Sequence, residues 1–311
     1  MTSYRVLMHK IIIVFLFLIS FKAMAEYKND LDCSNSPPIF PPNEGHDSTE
    51  IDRWFITPHQ VKAIGIAFHG LNAKPSMMNP LIDFLNGQGV SVLRGSLKGH
   101  RGSLEEMEVV KREDWLRDVF RTYCLAKEQA DKKGLPLIYV GHSLGALIIF
   151  DLLSTHQKKL KLDKAILFAP SFKIHWHLNF FSFIFNLKDS WSLPSRNLPR
   201  YRSQAVCTFA AYKALMDSID SFKPEKIGVM NIPTLVLMDP DDELVDFDGI
   251  SDMIKTYKLG SWRLIPVDTS GTTHKKIYRH LAFNKDCFGD TEWNRIEKIM
   301  EDFLWAANGM K

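Results

Sequence analysis

A chain of 311 residues that is 45% hydrophobic can bury a large core, enough for one large domain with an insertion or for two domains. Its net charge of +3 is carried by the leader: without Arg5, Lys10 and Lys22 the chain is neutral, which argues against nucleic acid as a partner. The four cysteines, Cys33, Cys124, Cys207 and Cys287, form no C-x-x-C pair, so neither a zinc nor a redox motif is indicated, and no metal ligands are assigned.

The leader itself has the pattern of a secretory signal peptide. Arg5 and Lys10 precede an apolar run from Ile11 to Phe21, and Ala23-Met-Ala25 is a small-x-small cleavage site. Cleavage is expected after Ala25, giving a secreted or periplasmic protein in which disulfides are permitted. Four cysteines allow three pairings. Cys124, on the apolar stripe Leu116, Val119, Phe120, Tyr123, reads equally as a buried free thiol. No later segment is long and apolar enough to span a membrane.

Residues 26–48 carry Pro37-Pro38 and Pro41-Pro42 and read as an irregular arm; the main domain is expected over 49–306. Glu50 to Thr57 looks like an early strand. Val61 to Phe68 is strongly apolar and ends in His69-Gly70-Leu71, where a glycine lets the Leu71 N–H turn toward a reacting group. Met77 to Asn86 predicts a helix, Val90 to Leu97 a strand, and Asp114 to Lys132 an amphipathic helix.

Leu137 to Val140 is then a short apolar, β-prone run, and residues 141–145 read G-H-S-L-G before the helix formers of 146–153. This is the G-x-S-x-G spacing of a nucleophile elbow: strand, tight turn, helix. It projects the Ser143 hydroxyl above a sheet and puts the Leu144 N–H and the positive end of a helix beside it. Leu162 to Ala169 is a further buried strand. Strands alternating with helices predict a parallel α/β sheet covered on both faces.

The alternation stops at Pro170 and resumes at Ile232. The interruption, about 170–231, holds Phe172, Trp176, the run from Phe180 to Phe185, Trp191, Phe209 and Tyr212. An insertion between two strands sits above their C-terminal ends, where an aromatic cap can form an acyl-binding pocket, touch a membrane surface, or simply pack onto the body. Pro233 to Met238 is a buried strand that opens into an acidic loop with four competing acids: Asp239, Asp241, Asp242 and Asp246. Trp262 to Val267 is the last strand. The loop over 268–289 holds two candidate bases, His274 and His280, and Asp290 is the expected N-cap of a terminal helix ending near Trp305.

A serine hydroxyl needs a base within hydrogen-bond reach, and the base needs a carboxylate to fix its tautomer. The chain supplies serine, acid and histidine in that order, each after a strand. In these motifs the sequence resembles the α/β-hydrolase superfamily, and within it the monoacylglycerol lipase and lysophospholipase-like branch, over roughly residues 50–306. The carriers are His69-Gly70, the G-H-S-L-G elbow, and P-T-L-V-L-M-D-P-D-D ending at Asp242. The acid loop of that family reads G-x-x-D; Asp239 stands at the glycine and Asp242 matches the acid, with Asp239 and Asp241 as rivals. Its base often precedes leucine, which His280-Leu281 matches, with His274 as rival.

The resemblance implies an α/β-hydrolase fold, mostly parallel with an inserted cap. It implies catalytic Ser143, Asp242 and His280, and an oxyanion hole at Leu71 and Leu144. It further implies a substrate site shaped by His69, Gly70, His142, Phe172 and Trp176. The expected activity is hydrolysis of carboxylic esters, lipid-like acyl esters above all, through an acyl-enzyme and without metal or organic cofactor. An amidase, peptidase or acyltransferase on the same triad, or an inactive binding module of the same fold, are the alternatives.

Overall fold

The computed structural model describes residues 33, 47–155, 160–176, 184–185, 187–227, 232–271 and 279–306. The expected signal peptide, most of the arm and His274 lie outside these residues. Two compact units divide the chain, Met1–Ser36 and Pro37–Lys311, and the fold below belongs to the second.

Its elements, in chain order, are β1 (Arg53–Phe55), β2 (Ala63–Phe68), α1 (Asn79–Gly87), β3 (Val90–Arg94), α2 (Leu104–Glu108), α3 (Arg112–Lys133), β4 (Leu137–His142), α4 (Leu144–Thr155) and β5 (Lys164–Phe168). Then come β6 (Ser192–Pro194), β7 (Val206–Thr208), α5 (Phe209–Ser221), α6 (Pro224–Ile227), β8 (Thr234–Met238), α7 (Phe247–Thr256), β9 (Trp262–Pro266), α8 (Lys285–Phe288) and α9 (Asp290–Trp305).

Seven strands form one sheet in the order β1-β3-β2-β4-β5-β8-β9. Only β1 runs antiparallel, against β3; every other neighbouring pair is parallel. The reason is in the residues. β2, β3, β4 and β8 are buried at every position, so they must be covered on both faces, which helical crossovers achieve.

Register then decides where chemistry can collect. Phe68 pairs with Gly141, His142 with Phe168, and Phe168 with Leu237. The last residues of β2, β4, β5 and β8 therefore lie side by side along one edge. The segments that follow them carry His69-Gly70-Leu71, Ser143, Ser171 and Asp242.

Between β5 and β8 the insertion contributes the β6–β7 hairpin, α5 and α6. Its first anchor is Phe172, whose ring packs with Phe150, Phe222 and Trp262 at centroid separations of 5.5, 4.7 and 5.8 Å. Such ring pairs add about 0.5–1.5 kcal/mol each beyond the area they bury.

Several expectations are amended. The early strand shrinks to Arg53–Phe55. The loop over 268–289 contains α8, and α2 and α7 arise where no helix was expected. The N-cap of α9 is Gly289, with Asp290 as its first helical residue, ion-paired to Lys285 at 3.0 Å. Asp246 is itself a cap: its Oδ1 accepts the Gly249 N–H at 2.9 Å and opens α7. Cys124 is disulfide-bonded, as is Cys33, whereas Cys207 and Cys287 are buried free thiols. Among the described residues no helix is long and apolar enough to cross a membrane.

Candidate active site

Ser143 sits between β4 and α4 with φ of +52°, a left-handed backbone that a non-glycine residue adopts only under strain. The elbow needs its glycine. A Cβ at residue 145 would stand 2.4 Å from the Phe68 carbonyl oxygen, so only glycine lets α4 start this close to β2. The Ser143 N–H bonds the Phe168 carbonyl at 2.9 Å, and the Tyr139 hydroxyl donates to the Gly145 carbonyl at 2.5 Å. The turn is thus fixed from its own strand β4 and from the neighbouring strand β5.

From Ser143 a relay runs outward. Its Oγ lies 2.8 Å from His280 Nε2, and His280 Nδ1 lies 2.8 Å from Asp242 Oδ2. A carboxylate can only accept, so Nδ1 carries the proton and Nε2 presents a lone pair to the serine. The other Asp242 oxygen accepts the N–H groups of Leu244 and Val245 at 2.8 and 2.9 Å. Burial works against the charged carboxyl, but the His280 imidazole and these donors outweigh it and hold Asp242 below the usual carboxylate range.

The competing acids have other tasks. Asp239 is buried and accepts the N–H and hydroxyl of Thr269 at 3.1 and 2.6 Å. With Asp241 it also pairs Arg279, at 3.3 and 3.1 Å. Glu243 accepts the N–H groups of Arg279 and His280, each at 3.3 Å. The acidic loop therefore grips the His280 segment with four carboxylates, of which only Asp242 reaches the imidazole.

On the opposite side lies the loop after β2. Gly70 is backed by His142, whose Nδ1 would be 2.8 Å from any Cβ added there. His69 accepts the Leu97 N–H through Nε2 at 3.2 Å, so its Nδ1 donates to the Gly70 carbonyl at 2.9 Å. His100 accepts the Asn72 N–H through Nε2 at 2.9 Å and donates from Nδ1 to the Lys98 carbonyl at 3.1 Å. The peptide groups on either side of Leu71 are tied down. Asn197 of the insertion donates to the Leu71 and Asn72 carbonyls at 3.2 and 3.0 Å. Among the described residues, no acceptor engages the Leu71 or Leu144 N–H groups.

Burial keeps this histidine set neutral. It drives His69 well below its ordinary value, His100 down to about 4 and His142 down to about 3, with the neighbouring His100 acting in the same sense on His69 and His280 on His142. Phe172 is buried in its ring cluster, away from solvent, while Trp176 is 79% exposed. Sequence reasoning did not single out His100, Ser171, Asn197, Arg279 or Glu243. His100 lies in a G-H-R-G loop that had no assigned role. The others act through pairings between segments far apart in the chain, which no local pattern announces.

Sheet, elbow and relay together define an α/β-hydrolase fold with a Ser–His–Asp constellation at the ends of its central strands. Residues 59–217, just over half of the chain, match the family described as Serine aminopeptidase, S33, and the chain belongs to that family of hydrolases. No curated protein matches the sequence. Among solved structures it is similar to a soluble variant of monoglyceride lipase from Saccharomyces cerevisiae, at 15% identity and a TM-score of 0.64, over 82% of this chain and 91% of that one. It is likewise similar to a metagenome-derived lipolytic enzyme, at 15% identity and a TM-score of 0.62, over 84% and 98%. A monoacylglycerol lipase of Paleococcus ferrophilus follows at 15% and 0.60, over 81% and 97%. At these identities the likeness is one of fold.

Proposed function

We propose that this protein is a serine hydrolase that cleaves carboxylic esters, with lipid-like acyl esters as its substrate class. The observation that carries the proposal is the unbroken relay from Ser143 Oγ through His280 to Asp242, at 2.8 Å for each bond. In the first half-reaction His280 Nε2 takes the Ser143 proton as Oγ attacks the ester carbonyl. The N–H groups of Leu71 and Leu144 hold the oxyanion, and His280 returns the proton to the departing alcohol. Water then attacks the acyl-enzyme with His280 again as base. Asp242 keeps the imidazole in the tautomer this requires and stabilises its cation.

Two observations support the lipid-like class. The insertion exposes Trp176, Leu187, Trp191 and Leu193, at 79%, 63%, 51% and 44%. Exposed apolar residues of this size suit a lipid surface. The three similar structures named above are described as lipases or lipolytic enzymes. Peripheral membrane contact through the insertion belongs to the same reading, as does export after cleavage at Ala25, which the disulfide state of Cys124 supports.

A fluorophosphonate probe tests the core of it. Ser143 is expected to be labelled in wild type and labelling to vanish in Ser143→Ala; equal labelling of the two would sink the proposal. A nitrophenyl ester series tests the substrate class, since a preference for acetate over longer chains rules out the lipid-like reading. Because the family description names an aminopeptidase, aminoacyl anilides belong in the same panel, and faster turnover of these than of any ester would move the protein to peptide chemistry.

A further inference from the structure

Ser143 Oγ has a second partner. The hydroxyl of Ser171 lies 3.0 Å from it, on a residue only 3% exposed. Which oxygen donates follows from the rest of the site. His280 Nδ1–H faces the Asp242 carboxylate, so Nε2 is an acceptor and takes the single hydroxyl proton of Ser143. Ser143 Oγ therefore meets Ser171 with a lone pair, and Ser171 is the donor.

The backbone holds Ser171 there independently of any ligand. Its N–H bonds the Ser143 carbonyl at 3.3 Å, so the two serines are joined twice. Two residues earlier, Ala169 adopts φ of +42°, left-handed and strained for alanine, with its N–H fixed to the Leu237 carbonyl at 2.9 Å. One residue later, the Phe172 ring is locked among Phe150, Phe222 and Trp262. A strained turn before the serine and a buried ring after it leave its hydroxyl little freedom.

Resting on the reading of Ser143 as nucleophile, we infer that Ser171 is a second catalytic hydroxyl, whose O–H bond to Ser143 Oγ stabilises the negative charge that develops on that oxygen. In acylation the Oγ–H bond breaks, the proton passes to His280 Nε2, and an Oγ lone pair forms the bond to the carbonyl carbon. That proton leaves with the alcohol; in deacylation water bonds to the acyl carbon as its proton passes to His280 Nε2, the Oγ–acyl bond breaks with its electron pair returning to Oγ, and His280 gives Oγ the proton taken from water. Ser171 keeps its own proton throughout. Oγ is most anionic in the transition states in which its bond to the acyl carbon forms, in acylation, and breaks, in deacylation. A hydrogen bond to a charged oxygen is stronger than one to a neutral oxygen, so the contact is stronger in the transition state than in the resting enzyme. That differential corresponds to about a tenfold effect on rate.

The test compares wild type, Ser171→Ala and Ser171→Thr in the full-length protein, each checked for folding by its urea midpoint. Two rates are read: fluorophosphonate labelling of Ser143 and hydrolysis of a short nitrophenyl ester. Ser171→Ala is expected to lower the labelling rate and kcat about tenfold with KM unchanged, and Ser171→Thr, which keeps the hydroxyl, to label faster than Ser171→Ala. A merely structural role would lower the urea midpoint without this split. Labelling of a folded Ser171→Ala at or above the wild-type rate overturns the inference, as does a folded Ser171→Thr no faster than Ser171→Ala. Absence of labelling in wild type fails the reading of Ser143 itself, and the inference with it.

Discussion

His142 and His280 are tied across the site: the Nε2–H of His142 donates to the backbone carbonyl of His280 at 2.9 Å, and their rings stand 5.2 Å apart. The residue just before Ser143 thus holds the main chain of the residue that serves it. The distance from Oγ to imidazole is set by this tether as well as by the acidic loop.

Removing the tether should loosen the base. In His142→Ala the His280 carbonyl loses its donor and a cavity opens beside Phe283, 5.0 Å from the missing ring. A loss of about 2–4 kcal/mol in urea unfolding is expected. The proportionately larger effect should be on kcat, since a displacement near 1 Å in a reacting group costs up to ~100-fold. Wild-type kcat in a folded His142→Ala protein would show that the acidic loop alone positions His280.

Three of the four aspartates of the acidic loop, Asp239, Asp241 and Asp242, should separate cleanly. Asp242→Asn removes the carboxylate that fixes the imidazole, and kcat should fall by as much as ~10⁴-fold. Asp239→Asn weakens buried bonds to Thr269 and the pair with Arg279, so its cost falls on stability, about 1–3 kcal/mol, with a small loss of kcat. The Asp241 side chain is 75% exposed and solvent screens its pair with Arg279, so Asp241→Asn should resemble wild type in both assays. If Asp239→Asn abolished turnover in a protein of normal stability, the acid would have to be reassigned.

Two glycines at the site predict opposite failures. Alanine at 145 meets the Phe68 carbonyl oxygen at 2.4 Å, a backbone atom of a central strand that cannot yield, so Gly145→Ala should destabilise the fold by about 2–3 kcal/mol or more. Alanine at 70 meets His142 Nδ1 at 2.8 Å and Ser143 Cβ at 3.2 Å, so the strain falls on the oxyanion loop and the elbow. Gly70→Ala should fold and lose one to two orders of magnitude in kcat/KM, roughly the cost of misplacing one donor. Thermal unfolding alongside kinetics checks both, and a catalytically normal Gly70→Ala would remove Leu71 from the oxyanion hole.

What could be read from the chain alone follows from how local each signal is. The buried strands announced themselves as apolar runs, because a strand covered on both faces has no polar side to show. Ser143 was legible because the elbow is a five-residue pattern with a steric cause. The choice among Asp239, Asp241 and Asp242 was open in the sequence, since all three follow the same strand; in the structure the turn after Met238 brings the Asp242 carboxyl to the His280 imidazole. The role of His100 was illegible because it acts on Asn72, 28 residues earlier, and that contact exists only once β2 and β3 are paired. Ser171 was hidden in the same way, 28 residues from Ser143. Helix α7, with Gly249 in its first turn, depends on the Asp246 cap, a residue the sequence offered as an acid.

Acid should unfold this protein through its buried histidines before its carboxylates. An unfolded chain binds a proton at each histidine near pH 6.5, whereas folded His100 does so only near 4 and His142 near 3. Their neutral forms therefore contribute fully above pH 6.5. That contribution falls as the pH drops through 6.5, and the loss continues to about 4 for His100 and about 3 for His142. For His100 the total is on the order of 3 kcal/mol. Asp242, held below the usual carboxylate range, adds its own loss as the pH falls through the unfolded carboxylate value, 3.8, towards its lower folded value. Urea midpoints taken between about pH 7 and pH 4 should decline with a slope steeper than one proton, about 1.4 kcal/mol per pH unit. His100→Gln should reduce that slope by about one proton, because its amide does not titrate. Its amide oxygen can accept the Asn72 N–H in place of the imidazole, so activity near neutrality should survive. An unchanged slope in His100→Gln would mean that this imidazole is not the buried neutral base the geometry makes it.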